Sequence, residues 1–418
     1  MMRRGWTRRG LGAAGLGLAA GPAMASAAAA DPLSGAALYA DVIRYAAFGD
    51  HRTGTAGDSL ATGLLEYELK AAGYDVQRQW FDLDVFDLTR AEVRAGGRRF
   101  EAFPLWTPKA GTATGPLSRT AAKGAVALLS LPYGTGAALE TSQAWRKPVQ
   151  AAIEAGASGV VVITENPLGE LVAYNSAPNL PPWPVPVVAI AGRDGPALQA
   201  ILGQPADVVL TGATRPGRSN NLIATRKGPG KPLVVSTPKS GWFACAGERG
   251  SGLAIWLGLA RHFARRDRHL IFMAASGHEF DGYGGHLFAE HLAPKPADVR
   301  GWVHIGANVA AYNVALVDGK VTRLARPQAS RRLAVSEALL PVAKTLFAAQ
   351  PSYESPIDID VESAPGEIAE YQRRGYRPLA TLVGTHPLHH TRRDTPDVTG
   401  PELLEPVARS LAGLIERF

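Results

Sequence analysis

The sequence predicts an α/β fold built around residues 232–285. Val234 and Val235, and then residues 270–275, are short, continuous, β-prone apolar runs of the kind found in strands buried on both faces. Between these runs, residues 252–263 are apolar, with polar residues only towards the end, as in a crossover helix. Together the three segments predict a βαβ unit.

Two polar turns follow the predicted strands of this unit. They cover residues 238–250 and 276–285, and the second turn carries His278, Glu279 and Asp281. In open α/β sheets, ligands bind beyond the carboxyl ends of the strands. We therefore expect the functional site where these two turns meet.

The first 30 residues have the composition of an export signal. Four arginines and no acidic residue accompany an apolar, Gly/Ala-rich run at 10–24, and small residues suited to a signal peptidase follow. The segment from Thr7 to Leu11, with Arg8 and Arg9, resembles a twin-arginine signal. We predict a cleaved precursor whose mature form is periplasmic or secreted and has no membrane anchor.

Length and composition describe a globular protein of more than one domain. The 418 residues exceed one ordinary core, and 46% of them are hydrophobic and 19% charged. Removing the four leader arginines lowers the formal net charge from +7 to +3, so charge gives nucleic-acid binding little support. Cys245 is the only cysteine, so an exported chain has no intramolecular disulfide and depends on packing.

Residues 31–87 are predicted to be the N-terminal part of the main domain. Apolar residues recur at helical spacing over 35–48 and 56–72, and each helix ends near a glycine. Residues 74–86 alternate in polarity like an edge strand.

Residues 88–217 are predicted to be an inserted binding or lid domain. Short apolar runs separated by Gly, Pro and Thr predict strands at 124–130, 159–164 and 187–191, with a helix at 145–156. Few candidate catalytic side chains occur in this part of the chain.

Residues 218–418 complete the main domain. Apolar runs predict further strands at 221–225, 232–237, 269–275, 301–307 and 377–384. The acidic stretch 358–365 is predicted to be a surface loop, and 401–418 a long final helix.

A series of short motifs resembles the secreted di-zinc aminopeptidases. In chain order the motifs are FGDHRTGTAGD, KGAVALLS followed by KPVQAAIEAGASGVVVI, GERGSG, SGHEFDGYGG and HHTRRDTPD. That superfamily also includes the single-zinc glutaminyl cyclases and the metal-free ectodomain of the transferrin receptor. The resemblance implies a zinc-aminopeptidase-like mixed-sheet sandwich, with a β-rich protease-associated domain inserted at 88–217.

The resemblance also implies that part of the metal site is missing. Two-zinc members have a His-x-Asp motif after the first strand of the unit, and here those positions hold Pro238 and Ser240. The Asp that ends a later strand falls on Gly306. Both ligands that belong only to the first metal are therefore absent.

This sequence does have residues at the positions of the family's ligands for the second metal. The bridging Asp falls on Glu248, the second residue of a Glu-Glu pair on Glu279, and the last His on His390. A three-ligand O/O/N set with an open fourth position is the usual makeup of a catalytic zinc site. The resemblance thus implies a single Zn²⁺ bound by Glu248, Glu279 and His390.

Two histidines are candidates for acid/base work. The general base implied by the resemblance falls on His278, whose imidazole titrates near neutral pH and could equally become a ligand. His304 precedes Gly306 by two residues on one predicted strand, so both face the same side and His304 can enter the space left by the missing Asp.

Two alternatives need no metal. Arg249 could pair with Glu248 and turn the metal site into a salt bridge. Cys245 could act as a thiol nucleophile with His278 or His304 as its base. A lone cysteine is more often a small buried hydrophobic residue.

The sequence therefore predicts an exported, aminopeptidase-like hydrolase of amide or peptide bonds with at most one zinc. Its partner would be a peptide or a small amide, with no nucleic acid and no membrane after signal cleavage. The alternatives are a non-catalytic ligand-binding relative, or metal-free chemistry in the same cleft.

Overall fold

Strands and helices alternate along the chain. The computed structural model describes residues 31–105, 107–133, 139–178 and 180–418, so the predicted export signal lies outside the described residues. The strands are β1 (Asp75–Ala95), β2 (Arg98–Pro104), β3 (Gly111–Ser118), β4 (Val126–Pro132), β5 (Gly159–Glu165), β6 (Val187–Ala191), β7 (Pro205–Arg226), β8 (Leu233–Pro238), β9 (Leu270–Ala275), β10 (Gly301–Ile305), β11 (Tyr312–Val317), β12 (Lys320–Pro327), β13 (Arg332–Val335), β14 (Ile357–Asp358) and β15 (Leu379–Val383). The helices are α1 (Gly35–Ala46), α2 (Ala56–Ala71), α3 (Leu139–Glu154), α4 (Gly195–Gln199), α5 (Ser251–Phe263), α6 (Tyr283–His291), α7 (Leu340–Phe347), α8 (Ile368–Arg373) and α9 (Pro401–Ile415).

The main sheet follows the order β7-β9-β8-β10-β15-β13-β14. Strands β8, β9, β10 and β15 run parallel to one another, whereas β7 and β13 are antiparallel to β9 and β15. Val235 belongs to the apolar core on one face of this sheet and Val234 to the core on the other. Burial of both faces explains why these strands have continuous apolar sequences.

Helices cover both faces of the main sheet. Side chains of α1, α5 and α9 contribute to one core, and side chains of α6 and α8 to the other. The two largest fully buried side chains, Trp256 and Trp302, satisfy their indole N–H groups by donating to Val235 O at 3.0 Å and to Ser236 Oγ at 2.7 Å. The predicted mixed-sheet sandwich is confirmed.

Strands β1 and β7 form a long antiparallel ribbon that takes part in two β-structures. The ribbon runs from Asp75 opposite Thr225 to Ala95 opposite Ala206. At one end β7 joins the main sheet through β9. At the other end the pairings pass through β2, β6, β5, β4 and β3 and return to β7, which closes a ring. All these ring strands contribute to one separate apolar core.

The ribbon is the main departure from the prediction. The predicted edge strand at 74–86 continues as β1 to Ala95, because β7 supplies a partner along that whole length. The boundaries predicted after residues 87 and 217 both fall inside paired strands. The assignment of 88–217 to a protease-associated domain remains a prediction.

The main sheet brings several loops together at one edge. Strands β8, β9 and β10 end side by side at Pro238, Ala275 and Ile305, so the turns that follow them converge there with the segment after β15. Within the described ranges, the structure contains no helix with the length and apolar character needed to cross a membrane.

Candidate active site

Glu248 lies in the turn after β8, and its carboxylate is fully buried. The residue belongs to a π-helical turn, Ala246–Gly250, that leads into α5. The backbone N–H groups of Gly247 and Glu248 donate to the Asp394 carboxylate at 2.7 and 2.9 Å. Asp394 therefore caps this turn and fixes the place from which Glu248 projects.

Basic side chains surround the Glu248 carboxylate. Oε1 lies 2.8 Å from Arg249 Nη2, 3.1 Å from His390 Nε2 and 3.8 Å from His389 Nε2. Burial raises the pKa of a carboxyl, but the basic groups around Glu248, including the charged Arg249, outweigh burial and hold the pKa of Glu248 well below its usual range. The other oxygen, Oε2, is buried without a hydrogen-bond partner among the described residues.

His390 is oriented by a backbone carbonyl between β5 and β6. Its Nδ1 lies 3.0 Å from Ala173 O, so Nδ1 carries a proton and donates it to that carbonyl. In the neutral ring, Nε2 then presents a lone pair 3.1 Å from Glu248 Oε1. Two acceptors this close require a proton or a cation between them. The φ of 59° at His390 is in the sparsely populated left-handed region, which is often occupied at functional sites.

His278 and His304 share one carboxylate, that of Glu367. His278 Nδ1 lies 2.9 Å from Oε1, and His304 Nε2 lies 3.1 Å from Oε2. The indole of Trp302 can only donate, so Ser236 Oγ accepts from it and gives its own proton to His304 Nδ1 at 2.9 Å. His304 therefore carries its proton on Nε2 and donates it to Glu367. Burial opposes ionisation, yet His278 and His304 hold the pKa of Glu367 well below its usual range.

Among the described residues, Glu248, His278 and His390 form a group able to hold a metal ion. Each offers one ligand atom, and these atoms lie within 4.8 Å of one another. Glu248 and His390 are fully buried, whereas His278 is partly exposed and lines a cleft of about 610 Å³. Access from that cleft to the group therefore passes beside His278.

Comparison with known proteins identifies the fold. No family model matches the sequence, and no curated protein matches it either. A zinc aminopeptidase from Bacillus subtilis superimposes with a TM-score of 0.71 at 18% identity, over 93% of this chain and 95% of that one. A peptidase M28 precursor from Shewanella amazonensis gives 0.72 at 17% identity, over 90% and 91%. An aminopeptidase from Aneurinibacillus sp. strain AM-1 gives 0.63 at 17% identity, over 92% and 94%. The chain has the zinc-aminopeptidase fold.

On this zinc-aminopeptidase fold, the structure brings together two of the three predicted metal ligands, Glu248 and His390. The carboxylate of Glu279 points elsewhere: Thr53 donates to it from its backbone N–H at 3.1 Å and from its hydroxyl at 2.7 Å, and the Ser240 hydroxyl donates at 2.9 Å. Burial raises the pKa of Glu279. Ser240 occupies the position where the resemblance implies an Asp. Its hydroxyl donates a hydrogen bond to Glu279, whereas the carboxylate of an ionised Asp could only accept one.

Cys245 lies in the apolar core of the zinc-aminopeptidase fold, immediately before the turn that carries Glu248. Its Sγ contacts Tyr45 Oη at 3.2 Å. Burial and then the Glu248 charge raise the pKa of the thiol well above its ordinary value, so the thiol remains protonated at neutral pH. This environment is that of a packed hydrophobe, and we assign Cys245 no part in the chemistry proposed below.

Sequence reasoning missed Glu367 and Asn175. Glu367 follows the predicted surface loop at 358–365, and the acidic composition of that stretch gave no sign that one carboxylate turns inward. Asn175, in the irregular segment between β5 and β6, places its amide Nδ2 3.4 Å from His278 Nε2. His304, which was predicted to fill the space near Gly306, lies in the cleft with its ring bonded to Glu367.

Proposed function

We propose that the protein hydrolyses peptide or amide bonds at a single zinc site and acts after export. The observation that carries the proposal is the grouping of Glu248, His278 and His390 at the edge of the main sheet. Solved proteins of the same fold include an enzyme named as a zinc aminopeptidase. The proposed ligand set replaces the Glu279 of the sequence prediction with His278, because hydrogen bonds from Thr53 and Ser240 already hold the Glu279 carboxylate.

The residues present fit a bound cation. When the His390 ring is neutral, its Nε2 and Glu248 Oε1 face each other as acceptors, and Glu248 Oε2 is buried without a partner among the described residues. A cation beside this carboxylate would satisfy both features. One carboxylate and two imidazoles are also a ligand set found in catalytic zinc sites. When bound, Zn²⁺ supplies a Lewis acid that polarises a scissile carbonyl and lowers the pKa of bound water.

The protein's own groups orient the two imidazoles. His278 donates from Nδ1 to Glu367, and His390 donates from Nδ1 to Ala173 O. Nε2 of each neutral ring is therefore unprotonated: that of His390 faces Glu248 Oε1, and that of His278 also accepts from Asn175 Nδ2 at 3.4 Å. Such outer hydrogen bonds fix the tautomer of a ligating histidine and increase its basicity.

We also propose that the buried His389 stabilises negative charge on a substrate oxygen. Asn308 Nδ2 donates to His389 Nδ1 at 2.8 Å, so the proton of the ring is on Nε2. That N–H is buried and has no hydrogen-bond partner among the described residues. Burial lowers the pKa of His389 well below its ordinary value, so the ring is neutral. A fixed neutral donor of this kind suits an oxyanion that develops during hydrolysis.

One observation favours a second candidate, a metal-free protein that binds peptides without cleaving them. Arg249 is fully buried, and its Nη2 lies 2.8 Å from Glu248 Oε1. This ion pair already compensates part of the Glu248 charge, which is the task a metal would otherwise perform. The two candidates differ in metal content.

Metal analysis decides between the two candidates. We expect about one equivalent of zinc in untagged protein measured by mass spectrometry, and none in His390→Ala, because that variant loses one of three ligands. His291→Ala is the matched control, since that side chain is 57% exposed and lies outside the group. A panel of peptide amides should be hydrolysed by the wild type and the control only. Protein that takes up no zinc from an excess would leave the metal-free candidate.

Export is tested separately from the chemistry. Expressed in a host with a twin-arginine pathway, the protein should leave the cytoplasm and begin after residue 30 or close to it when its N-terminus is sequenced. An uncleaved cytoplasmic product would contradict the export prediction and leave the hydrolase proposal intact.

A further inference from the structure

Basic side chains concentrate at the end of the main sheet opposite the candidate site. Strands β8, β9 and β10 end at the site, and the connections that lead into them lie at the other end, where the antiparallel strand β7 finishes. The segments at this end are 226–232, 264–269, 298–300 and 416–418. They carry eight basic residues, which we call the basic face: Arg226, Lys227, Lys231, Arg265, Arg266, Arg268, Arg300 and Arg417.

Hydrogen bonds join these segments into one surface. Arg226 donates from Nε to Arg266 O at 3.2 Å, and Arg268 donates from Nη1 to Ile415 O at 2.7 Å. The backbone N–H of Arg300 donates at 2.8 Å to the carbonyl that precedes β8. The neighbouring strands follow the order β7-β9-β8-β10, so at about 4.8 Å per strand the basic face extends over about 14 Å.

Few negative charges compensate the basic face. Its segments contain three acidic residues, Asp267, Asp298 and Glu416, against eight basic ones, which gives a formal charge of +5. Residues 31–418 as a whole have a formal charge of +3, so the rest of that range carries −2. A terminal carboxylate at Phe418, whose O atom is 3.5 Å from Arg300 Nη1, would lower the charge of the face only to +4. The net charge of the chain therefore conceals a strong asymmetry.

The basic side chains of this face are unpaired. Exposed arginines elsewhere, such as Arg44 and Arg373, form ion pairs with glutamates. Among the described residues, no carboxylate side chain forms an ion pair with any of the eight. Burial, and then the charges of Arg300 and Arg266, lower the pKa of Arg268, and Glu416 offsets them only in part. A bound anion would relieve this repulsion.

The composition of the basic face indicates which kind of anion fits. Six of the eight side chains are arginines, whose planar guanidinium groups bind two oxygens of one phosphate at a time. A row of about 14 Å is longer than one phosphate group, so it suits a chain of them.

The basic face offers charge without apolar contacts. None of the large apolar side chains that the described part of the chain exposes belongs to its segments. Proteins that bind single-stranded nucleic acid stack its bases on aromatic side chains. Stable attachment to a bilayer takes a second signal, such as an inserted apolar group, beside a polybasic patch. Charge alone therefore favours a phosphate polymer without bases over nucleic acid and over a membrane.

We propose that the basic face binds a linear polymer of phosphate groups that carries no bases. Successive phosphates would lie beside different arginines along the row. Because the candidate site is at the other end of the strands, the bound polymer leaves that site accessible. The proposal does not depend on the hydrolase function, and either can fail alone.

Titration with inorganic polyphosphate tests the proposal. Fluorescence anisotropy of a labelled polymer should show binding at low ionic strength, and the affinity should fall steeply as salt is added, because binding releases counterions. The double variant Arg265→Glu, Arg266→Glu should raise the dissociation constant about tenfold or more. Both side chains are exposed. If this variant fails to fold, the double variant Lys227→Glu, Lys231→Glu replaces it.

The matched control is the double variant Arg119→Glu, Lys123→Glu. These side chains are also exposed, in the connection between β3 and β4, and the substitutions change the net charge by the same amount. The control should bind polyphosphate within about twofold of the wild type, because charges further away than a Debye length are screened.

Three results would overturn the proposal: no binding at low ionic strength, an equal loss in both double variants, or tighter binding of a different anionic partner. The other partners are single-stranded DNA with the same number of phosphates and vesicles of phosphatidylglycerol and phosphatidylcholine at the same concentration of anionic phosphate. Tighter binding of DNA would show that bases contribute, and tighter binding of vesicles would assign the face to a bilayer surface. Binding of both that is no tighter than that of polyphosphate supports the proposal.

Discussion

At the scale of single residues, Glu367 links histidines that are 26 positions apart in the sequence. Its two oxygens each accept a hydrogen bond, one from His278 and one from His304, and the chain continues through Ser236 to Trp302. This continuous set of hydrogen bonds leaves each ring a defined tautomer. The orientation of His278 therefore depends on a residue that does not itself face Glu248.

Changing Glu367 to Gln should weaken zinc binding about 10- to 100-fold, because an amide accepts more weakly than a carboxylate and no longer holds the proton on His278 Nδ1. Competition with a chromogenic chelator measures the affinity. Glu370→Gln is the matched control: Glu370 lines the same cleft but pairs with Arg373 and Arg374. Wild-type affinity in Glu367→Gln would remove His278 from the proposed ligand set.

At the scale of elements, a buried ion pair joins α2 to the ends of β8 and β9. Lys239 and Asp58 are almost fully buried, with 2.6 Å between Nζ and Oδ1. Ser276 and Ser219 donate to the same carboxylate, each at 2.5 Å. Burial raises the pKa of Asp58, but Lys239 outweighs it and holds that pKa below its usual range. Ser276 precedes the turn that carries His278, so this pair supports the position of the site.

Lys239→Met should lower the free energy of unfolding by about 3–5 kcal/mol, because it leaves the Asp58 charge buried without a partner. Urea denaturation followed by circular dichroism measures the change. The control is Arg409→Met, which breaks two exposed ion pairs, with Glu405 and with Asp31, and should cost at most about 1 kcal/mol for each pair. Equal stability of the two variants would show that the buried pair is not needed.

The sequence predicted most elements of the main sheet because strands buried on both faces have a strong apolar signature. Strand ends also predicted that the turns carrying Glu248 and His278 meet at one edge, whereas His390 was implied only by the resemblance to the zinc aminopeptidases. The sequence could not predict where the Glu279 carboxylate points, because that depends on Thr53, which is more than 200 positions away. Asn175 and Glu367 reach the site from irregular segments, where no periodicity marks an inward-facing side chain.

At the scale of the whole molecule, the ribbon of β1 and β7 runs through both predicted domain boundaries. Both predicted boundaries lie within it, and every described residue from 75 to 95 except Thr89 has a registered partner in β7. The segment between β5 and β6 also reaches the site directly, since Ala173 O orients His390. The two β-structures thus share backbone hydrogen bonds as well as one candidate active site.

Limited trypsin digestion should therefore spare the ribbon. Arg215 and Arg218 have exposed side chains, but their backbone is paired with β1, and a protease must bind an extended, unpaired segment. Arg119 and Lys123, exposed in the connection between β3 and β4, serve as the internal control and should be cut first. Mass spectrometry of the early fragments shows the order. Early cleavage at Arg215 or Arg218 would indicate that the ribbon opens readily.

The ribbon also determines how long β1 must wait for its partner strand during synthesis. The partner of β1 lies more than a hundred positions further along the chain, so the ribosome needs on the order of ten seconds to supply it. Until β7 emerges, β1 can pair only with β2 over Glu92–Ala95, and the rest of the strand has two unpaired edges and apolar side chains, features that promote aggregation. We therefore expect a nascent chain of this protein to need early protection, by a chaperone or by its own first helices, before it can acquire its native pairing.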